Sequence, residues 1–350
     1  MLIDLRKIRR NTGSIVDLCQ SFDIDVFGVT KATCGDRKIA EAMIAGGARG
    51  IADSRIENIK KLQEADLGVP LMLLRTPMLS ETTEVVEHAD ISLNTEIKVL
   101  DKLSKDAKKA GRVHKVLLMV EMGDLREGMT TDQIQDAVEK VVESQSLDLY
   151  GIGMNLACFG GVVPTEEKIK KFSDIVEKLE KRNNMEINVV SGGNSANIPS
   201  LLNDVEQRRI NNLRLGESIL LGLETVNRSP IPNTFQDAFK AEAEIIELKK
   251  KPSVPEGEIS QNAFGETPSF KDRGEVLRVV VALGKQDVIV EDLKPLDSNL
   301  EILGSSSDHI ILHSKKTGLN VGDKVGFMMK YGALVHLYTS PYVNKQYVER

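Results

Sequence analysis

Gly28-Val29-Thr30-Lys31-Ala32-Thr33 closes the β-rich run Val26 to Thr30 and leads into a helical stretch from Asp36 to Ala45, after which a second β-rich run starts at Gly50. A short apolar strand, a turn, a helix of about ten residues and another short strand make one βαβ unit, because parallel neighbours need a helical crossover. The unit repeats. β-rich runs stand at Val26 to Thr30, Gly50 to Ala52, Leu71 to Leu74, Asp90 to Leu93, Val116 to Glu121, Leu149 to Gly153, Ile187 to Val190 and Asn212 to Leu215. Helical stretches with capping residues or charged faces lie between most of them, at Asp36 to Ala45, Arg55 to Ala65, Thr95 to Ala110, Thr131 to Glu143 and Thr165 to Arg182. Eight such repeats with short connections point to an α/β fold, a closed (β/α)8 barrel of the TIM type. An open doubly wound sheet is the alternative, since periodicity does not count closure.

Upstream of the first unit, Leu5, Ile8, Ile15 and Leu18 fall near helical spacing within Asp4 to Cys19, which predicts a helix laid against the downstream repeats. Beyond the eighth run, the rhythm changes at about Phe235. Ala241 to Leu248, Val276 to Leu283, Ile310 to His313, Lys324 to Met329 and Val335 to Thr339 read as strands separated by Pro, Gly and Asp, so a mostly antiparallel β domain succeeds the barrel. The expected division is residues 1–234 for the barrel and 235–350 for the C-terminal β domain. Lys249 to Lys271, with Pro252, Pro255, Gly257, Gly265 and Pro268, reads as a long loop inside that domain.

A chain of 350 residues has length for about two domains. No run approaches the roughly 18 uncharged apolar residues of a membrane span, and the opening Met1 to Arg6 lacks the pattern of a signal peptide. A cytoplasmic protein is expected. The net charge of -6 arises from intermixed acids and bases, without a basic stripe interleaved with aromatics, so nucleic acid is not expected as a partner. Cys19, Cys34 and Cys158 are odd in number and far apart, which predicts reduced thiols with neither disulfide nor zinc. The five histidines contain no H-E-x-x-H, and His309 and His313 are read as structural or surface residues.

In a barrel of this kind chemistry sits at the C-terminal ends of the strands, and phosphate is commonly held by the loops after the seventh and eighth. Ser191-Gly192-Gly193-Asn194-Ser195 follows the seventh run and Arg214-Leu215-Gly216-Glu217-Ser218 follows the eighth. Both offer exposed amides at a helix start, suited to a phosphate or simply to a turn. Lys31, closing the first strand, points into the barrel mouth, where partial desolvation frees its amine to attack an aldehyde. A lysine and an anion cradle across one cavity are what pyridoxal phosphate requires.

Val29-Thr30-Lys31-Ala32 resembles the cofactor-lysine motif of the alanine racemase-like pyridoxal-phosphate enzymes, Ile3-Asp4-Leu5 with Ile8 and Asn11 resembles their leading helix, and Arg214-x-Gly216 resembles the motif after their last strand. Lys31-Ala32-Thr33-Cys34-Gly35-Asp36, Asp53-Ser54-Arg55-x-Glu57-Asn58, Gly123-Asp124-Leu125-Arg126-Glu127-Gly128, Ser191-Gly192-Gly193-Asn194-Ser195 and Gly284-Lys285-Gln286-Asp287 are similar to the ornithine racemase group. The resemblance implies a homodimeric amino-acid racemase in which Lys31 carries the cofactor and moves a proton at the α-carbon. It further implies Arg214 at the pyridine nitrogen, Asn194, Ser195, Gly216 and Glu217 at the phosphate with the Tyr331 hydroxyl, and Arg126 at the substrate carboxylate or the cofactor phenolate. Read without the resemblance, Arg126 pairs with Glu127 or Asp124 at the surface.

The departures matter equally. Asn155 stands where those racemases place a histidine under the ring, Gly35 replaces a phosphate-binding tyrosine, and no tyrosine occurs between Tyr150 and Tyr331 to act as the partner subunit's second base. Racemisation needs a proton carrier on each face of the α-carbon. Cys158, Ser306 and Asp308 are the candidates, each with a structural alternative. Asp124, Glu127, Glu217 and Asp287 lie near expected mouth loops and could meet a basic side chain such as that of ornithine or lysine. Alanine racemisation, a decarboxylase of the same barrel class and a non-catalytic cofactor carrier are the other readings; carriers of that kind stop at the barrel, whereas this chain continues well beyond Glu224.

Overall fold

The computed structural model describes residues 1–348, which fall into two compact units: Leu5–Gln236, and Met1–Asp4 with the residues from Asp237 onward. In the larger unit, helix α1 (Leu5–Gln20) precedes eight parallel strands: β2 (Asp25–Val29), β3 (Gly50–Asp53), β4 (Leu71–Leu73), β5 (Ile91–Asn94), β6 (His114–Val120), β7 (Leu147–Met154), β8 (Val189–Ser191) and β9 (Asn212–Leu215), with β1 (Leu2–Asp4) belonging to the other unit. They form a closed barrel in sequence order, and the register Asp25↔Asn212 to Gly28↔Leu215 joins β2 to β9. That pairing removes the open-sheet alternative. Strands β3, β5 and β9 are buried at every position, which is why parallel strands covered on both faces appear as short continuous apolar runs. Phe27, Val29, Ala52, Met72, Ile91, Leu93, Leu117 and Met119 fill the barrel interior.

The intervening helices are α2 (Arg37–Ala45), α3 (Ile56–Glu64), α4 (Thr82–His88), α5 (Ile97–Ala110), α6 (Thr131–Glu143), α7 (Glu166–Asn183), α8 (Ile198–Leu202) and α9 (Glu217–Leu221). Their starts follow from local chemistry. Asp36 accepts from the Ile39 amide at the head of α2, Thr165 from Lys168 at the head of α7, and Thr130 with Gln133 forms a reciprocal capping box on α6. The seventh barrel strand is Val189–Ser191, two residues later than the sequence places its start, and α4 has too short an apolar pattern to be anticipated.

The smaller unit is a sheet with the path β12-β15-β10-β11-β14-β13, all neighbours antiparallel: β10 (Phe239–Pro252), β11 (Glu275–Val281), β12 (Leu293–Pro295), β13 (Leu300–Ser305), β14 (Ile310–Ser314) and β15 (Lys324–Met329). Strand β10 changes partners along its length, pairing Ala241–Glu244 with β15 and then, from Ile245, pairing with β11, with a register break between Ile245 and Glu247. Residues 249–252, expected in a loop, continue this strand, and the irregular stretch starts at Ser253.

Two expectations are corrected here. Val335 to Thr339 is not a strand but the end of helix α10 (Tyr331–Thr339), whose Ala333, Leu334, Leu337 and Tyr338 bury one face at helical spacing; the β-forming Val and Tyr mislead over so short a window. Met1–Asp4 does not go with the barrel. Its strand β1 pairs antiparallel with β10 and parallel with β16 (Gln346–Val348). No helix among the described residues is long and apolar enough to cross a membrane.

Candidate active site

Strand β2 ends at Val29, and Lys31 begins the single 3-10 turn Lys31–Thr33 at the C-terminal rim of the barrel. The turn is held by the residue ahead of it: the Thr30 carbonyl accepts from the Thr33 amide at 2.8 Å and from Thr33 Oγ1 at 3.0 Å. Lys31 is solvent-accessible, yet protein surrounds it in the mouth, and that loss of bulk water pulls its ammonium below the usual lysine range. Cys158, Asp53 and Glu127 oppose the pull, while Arg126 adds to it. An amine so placed is a better nucleophile and a readier proton carrier than a surface lysine.

On the neighbouring strand β9, paired with β2 through Phe27↔Arg214, Arg214 is 4% exposed. Its guanidinium donates to Ser191 Oγ and, at 2.9 Å, to the Met154 carbonyl, and Ser191 Oγ donates in turn to Asn212 Oδ1 at 2.5 Å. Burial drives its pKa down to about 10, so it stays a cation at neutral pH and can only donate. Gly153 makes room beside it: a Cβ there would lie 2.7 Å from the Leu117 side chain and 3.6 Å from the guanidinium.

The two loops read as a phosphate cradle are bonded to each other. Ser195 Oγ meets Ser218 Oγ at 2.9 Å and accepts from the Ser218 amide at 3.2 Å. The first loop turns at Gly193, whose φ of 108° suits glycine, and Asn194 caps the next turn by accepting from the Ala196 amide at 2.7 Å. Asn194 Nδ2 lies within reach of Asn155 Oδ1 (3.1 Å), the Leu156 carbonyl (2.8 Å) and Cys158 Sγ (3.1 Å). Asn155 Nδ2 is buried and has no partner among the described residues. In the second loop Gly216 caps α9 against Val29, and the Glu217 carboxylate is held by Arg228.

The loops after β6 and β7 are joined by Asp124. Its carboxylate accepts from the amides of Phe159 (2.9 Å), Cys158 (3.2 Å) and Val162 (3.4 Å), and its carbonyl from Gly160. Burial alone would raise this carboxyl, but those amides outweigh it and hold the group below the usual range. Beside it Arg126 pairs with Glu127, the surface pairing already open from the sequence, and Cys158 is an exposed free thiol.

Lys31, Arg126, Asn155, Cys158, Asn194, Ser195, Arg214, Gly216 and Glu217 thus belong to the C-terminal side of the barrel unit. Asp287, Ser306, Asp308 and Tyr331 belong to the smaller unit. There Asp287 accepts from Ser340 Oγ at 2.6 Å, Ser306 Oγ meets His309 Nδ1 at 3.1 Å, Asp308 accepts from Ser307 Oγ at 2.7 Å, and Tyr331 opens α10. Sequence reasoning gave no individual role to Asp53, Ser191, Gly153 or Ser218. Asp53, Ser191 and Ser218 lie in strings already quoted from the sequence; nothing local marks Gly153.

Residues 3–223 match the family model described as alanine racemase, N-terminal domain. The chain is 40% identical to the ornithine racemase of Acetoanaerobium sticklandii over 98% of each sequence, and 39% identical to the lysine racemase of Thermotoga maritima over 99% of this chain and 98% of that one. Among solved structures, the alanine racemase of Bacillus anthracis with bound L-Ala-P aligns with a TM-score of 0.77 at 17% identity, covering 99% of this chain and 94% of that one. The D-threonine aldolase of Filomicrobium marinum aligns with a TM-score of 0.75 at 16% identity, covering 96% and 87%. At those identities the likeness is one of fold.

Proposed function

The chain belongs to the alanine racemase family, whose N-terminal domain it carries, and from that premise we propose that it is a pyridoxal-phosphate-dependent racemase that inverts the α-carbon of a basic amino acid, ornithine or lysine. The observation that carries this reading is the extent of the similarity: two racemases of basic amino acids match nearly end to end, smaller unit included. That extent favours an enzyme over a carrier formed of a barrel alone.

Pyridoxal phosphate, when bound, supplies an aldehyde for a lysine amine and an electron-withdrawing ring that acidifies a substrate α-hydrogen. The residues present fit it. Asn155 Nδ2 is a buried donor lacking an acceptor among the described residues, Arg214 is a buried donor-only cation, and two bonded loops follow the seventh and eighth barrel strands. Lys31 would hold the cofactor and carry a proton on one side of the α-carbon. Arg214 would donate to the ring nitrogen and Asn155 would lie beneath the ring. Asn194, Ser195, Gly216 and Glu217, the last two through their amides, would hold the phosphate, with the Tyr331 hydroxyl. Arg126 would orient the substrate carboxylate, and Asp287 would meet the substrate's distal cation.

For the second proton carrier we favour Cys158 over Ser306 and Asp308, because its thiol is exposed, accepts from Asn194 and shares the electrostatic surroundings of Lys31 and Arg214. A cytoplasmic homodimer, the smaller unit of one copy closing the mouth of the other, completes the proposal. The test is α-hydrogen exchange in deuterated water with L-ornithine, L-lysine and L-alanine, followed by chiral analysis. Inversion of the two basic amino acids is expected. Inversion of alanine alone would overturn the substrate class, and release of carbon dioxide without inversion would make the protein a decarboxylase.

A further inference from the structure

One buried acid beside Lys31 has no part in the chemistry above. Asp53 ends β3, the strand paired with β2 through Val29↔Ala52, and its side chain is fully buried. One carboxylate oxygen accepts from Thr30 Oγ1 at 2.8 Å; the other accepts from Asn58 Nδ2 and from the Arg55 amide, both at 3.0 Å. All three donors are neutral. A buried carboxylate solvated only by neutral donors is costly unless its charge has use, and no lysine or arginine side chain among the described residues bonds to it. The cation with which it interacts at longer range is Lys31.

We propose that Asp53 is a positioning residue for Lys31: through Thr30 it fixes the turn that carries the amine, and its uncompensated negative charge acts on that amine. The significance of the arrangement rests on Lys31 being the working amine of the proposed racemase. Mechanically, Thr30 lies at the junction, its hydroxyl on Asp53 and its carbonyl closing the turn through Thr33. Electrostatically, four groups act on the amine: Cys158, Arg126, Asp53 and Glu127. Glu127 is paired with Arg126, so its charge is largely spent there, and Cys158 is exposed to water. Asp53 is the member of the set that is both buried and unshared, so it offsets the desolvation of Lys31 and keeps the amine able to hold a proton as well as to give it up.

Competitive acetylation with acetic anhydride from pH 7 to 11, read at Lys31 by peptide mass spectrometry against the exposed Lys98, measures this directly and needs neither cofactor nor amino acid. In Asp53→Asn the midpoint at Lys31 falls by at least about half a pH unit, making the amine about threefold more reactive below the midpoint, while Lys98 is unchanged. Thr30→Val, which keeps the charge, leaves the midpoint in place but speeds hydrogen exchange at the Thr33 and Gly35 amides. An unmoved midpoint in folded Asp53→Asn, or an equal fall in Thr30→Val, overturns the proposal. Should Asp53→Asn fail to fold, carbon NMR of labelled aspartates in the unaltered protein decides: an ionised Asp53 at pH 7.5 supports the charge and a protonated one overturns it. A protein that inverts no amino acid yet shows the Lys31 shift would sink the racemase reading alone.

Discussion

Two buried aspartates hold two parts of the same barrel mouth, and their surroundings differ in kind. Asp124 accepts three backbone amides from a neighbouring loop, whereas Asp53 accepts two side-chain donors and one amide from its own and the adjoining segment. Burial pushes both carboxyls up. At Asp124 the amides win and the group stays strongly acidic; at Asp53 burial wins and the group is raised. Asp124 is a clamp between loops that bear Arg126 and the exposed Cys158. Asp53 has surplus charge, beside the one lysine that needs it. Asp53 lies much the deeper of the two, and a carboxylate closed off from solvent serves rigidity in one place and electrostatics in the other.

The largest expected effect lies at the Asp53 end. Lys31→Ala removes the amine served by that charge, and α-hydrogen exchange with ornithine falls at least about a thousandfold, read by mass spectrometry in deuterated water. A loss of tenfold or less would mean that the support under Lys31 serves no chemistry.

Asp124→Ala comes next. It strips the acceptor from the Cys158, Phe159 and Val162 amides, and local opening of that loop becomes easier by about 2 kcal/mol, seen as roughly thirtyfold faster hydrogen exchange at those amides while the Thr33 amide is unaffected. The two aspartates also respond oppositely to acid. Asp124, with its depressed folded-state pKa, contributes stability that is present above the ordinary carboxylate pKa and is lost as pH falls through the depressed value; Asp53, with its raised value, destabilises the fold above that value and is relieved as pH falls through it. Loop exchange around Cys158 should therefore quicken only in strong acid. Quickening between pH 5 and 6 would assign the clamp to another group.

The smallest effect belongs to Glu127→Gln. The Arg126–Glu127 pair leaves about a third of each side chain exposed, and screening by water limits its worth to below about 0.5 kcal/mol, a change near the noise of a thermal melt followed by circular dichroism. A markedly lower melting temperature would promote this pair to a third clamp and end the two-way contrast.

The barrel was legible because its strands are buried on both faces and so appear as apolar runs at regular spacing, each followed by a capped amphipathic helix. The glycine loops and Lys31 stood out for the same reason, at the ends of those runs. The supporting shell did not. Asp53 acquires its meaning from Thr30 and Lys31, more than twenty residues upstream, and the space beside Arg214 depends on a glycine on β7, two strands away. In the smaller unit, α10 was hidden by β-forming side chains, and β1 and β16 by pairings that join opposite ends of the chain.

That last pairing bears on how the molecule is made. Leu2 lies opposite Lys240 on one side and Gln346 on the other, so the first strand finds neither neighbour until most of the polypeptide has left the ribosome. Closing such distant contacts carries a slow entropic step, and the barrel strands, whose partners lie nearby except where β9 closes on β2, are all synthesised before the last of them can form. Maturation of the smaller unit should thus be post-translational, and a bulky fusion placed ahead of Met1 should delay it without slowing the barrel.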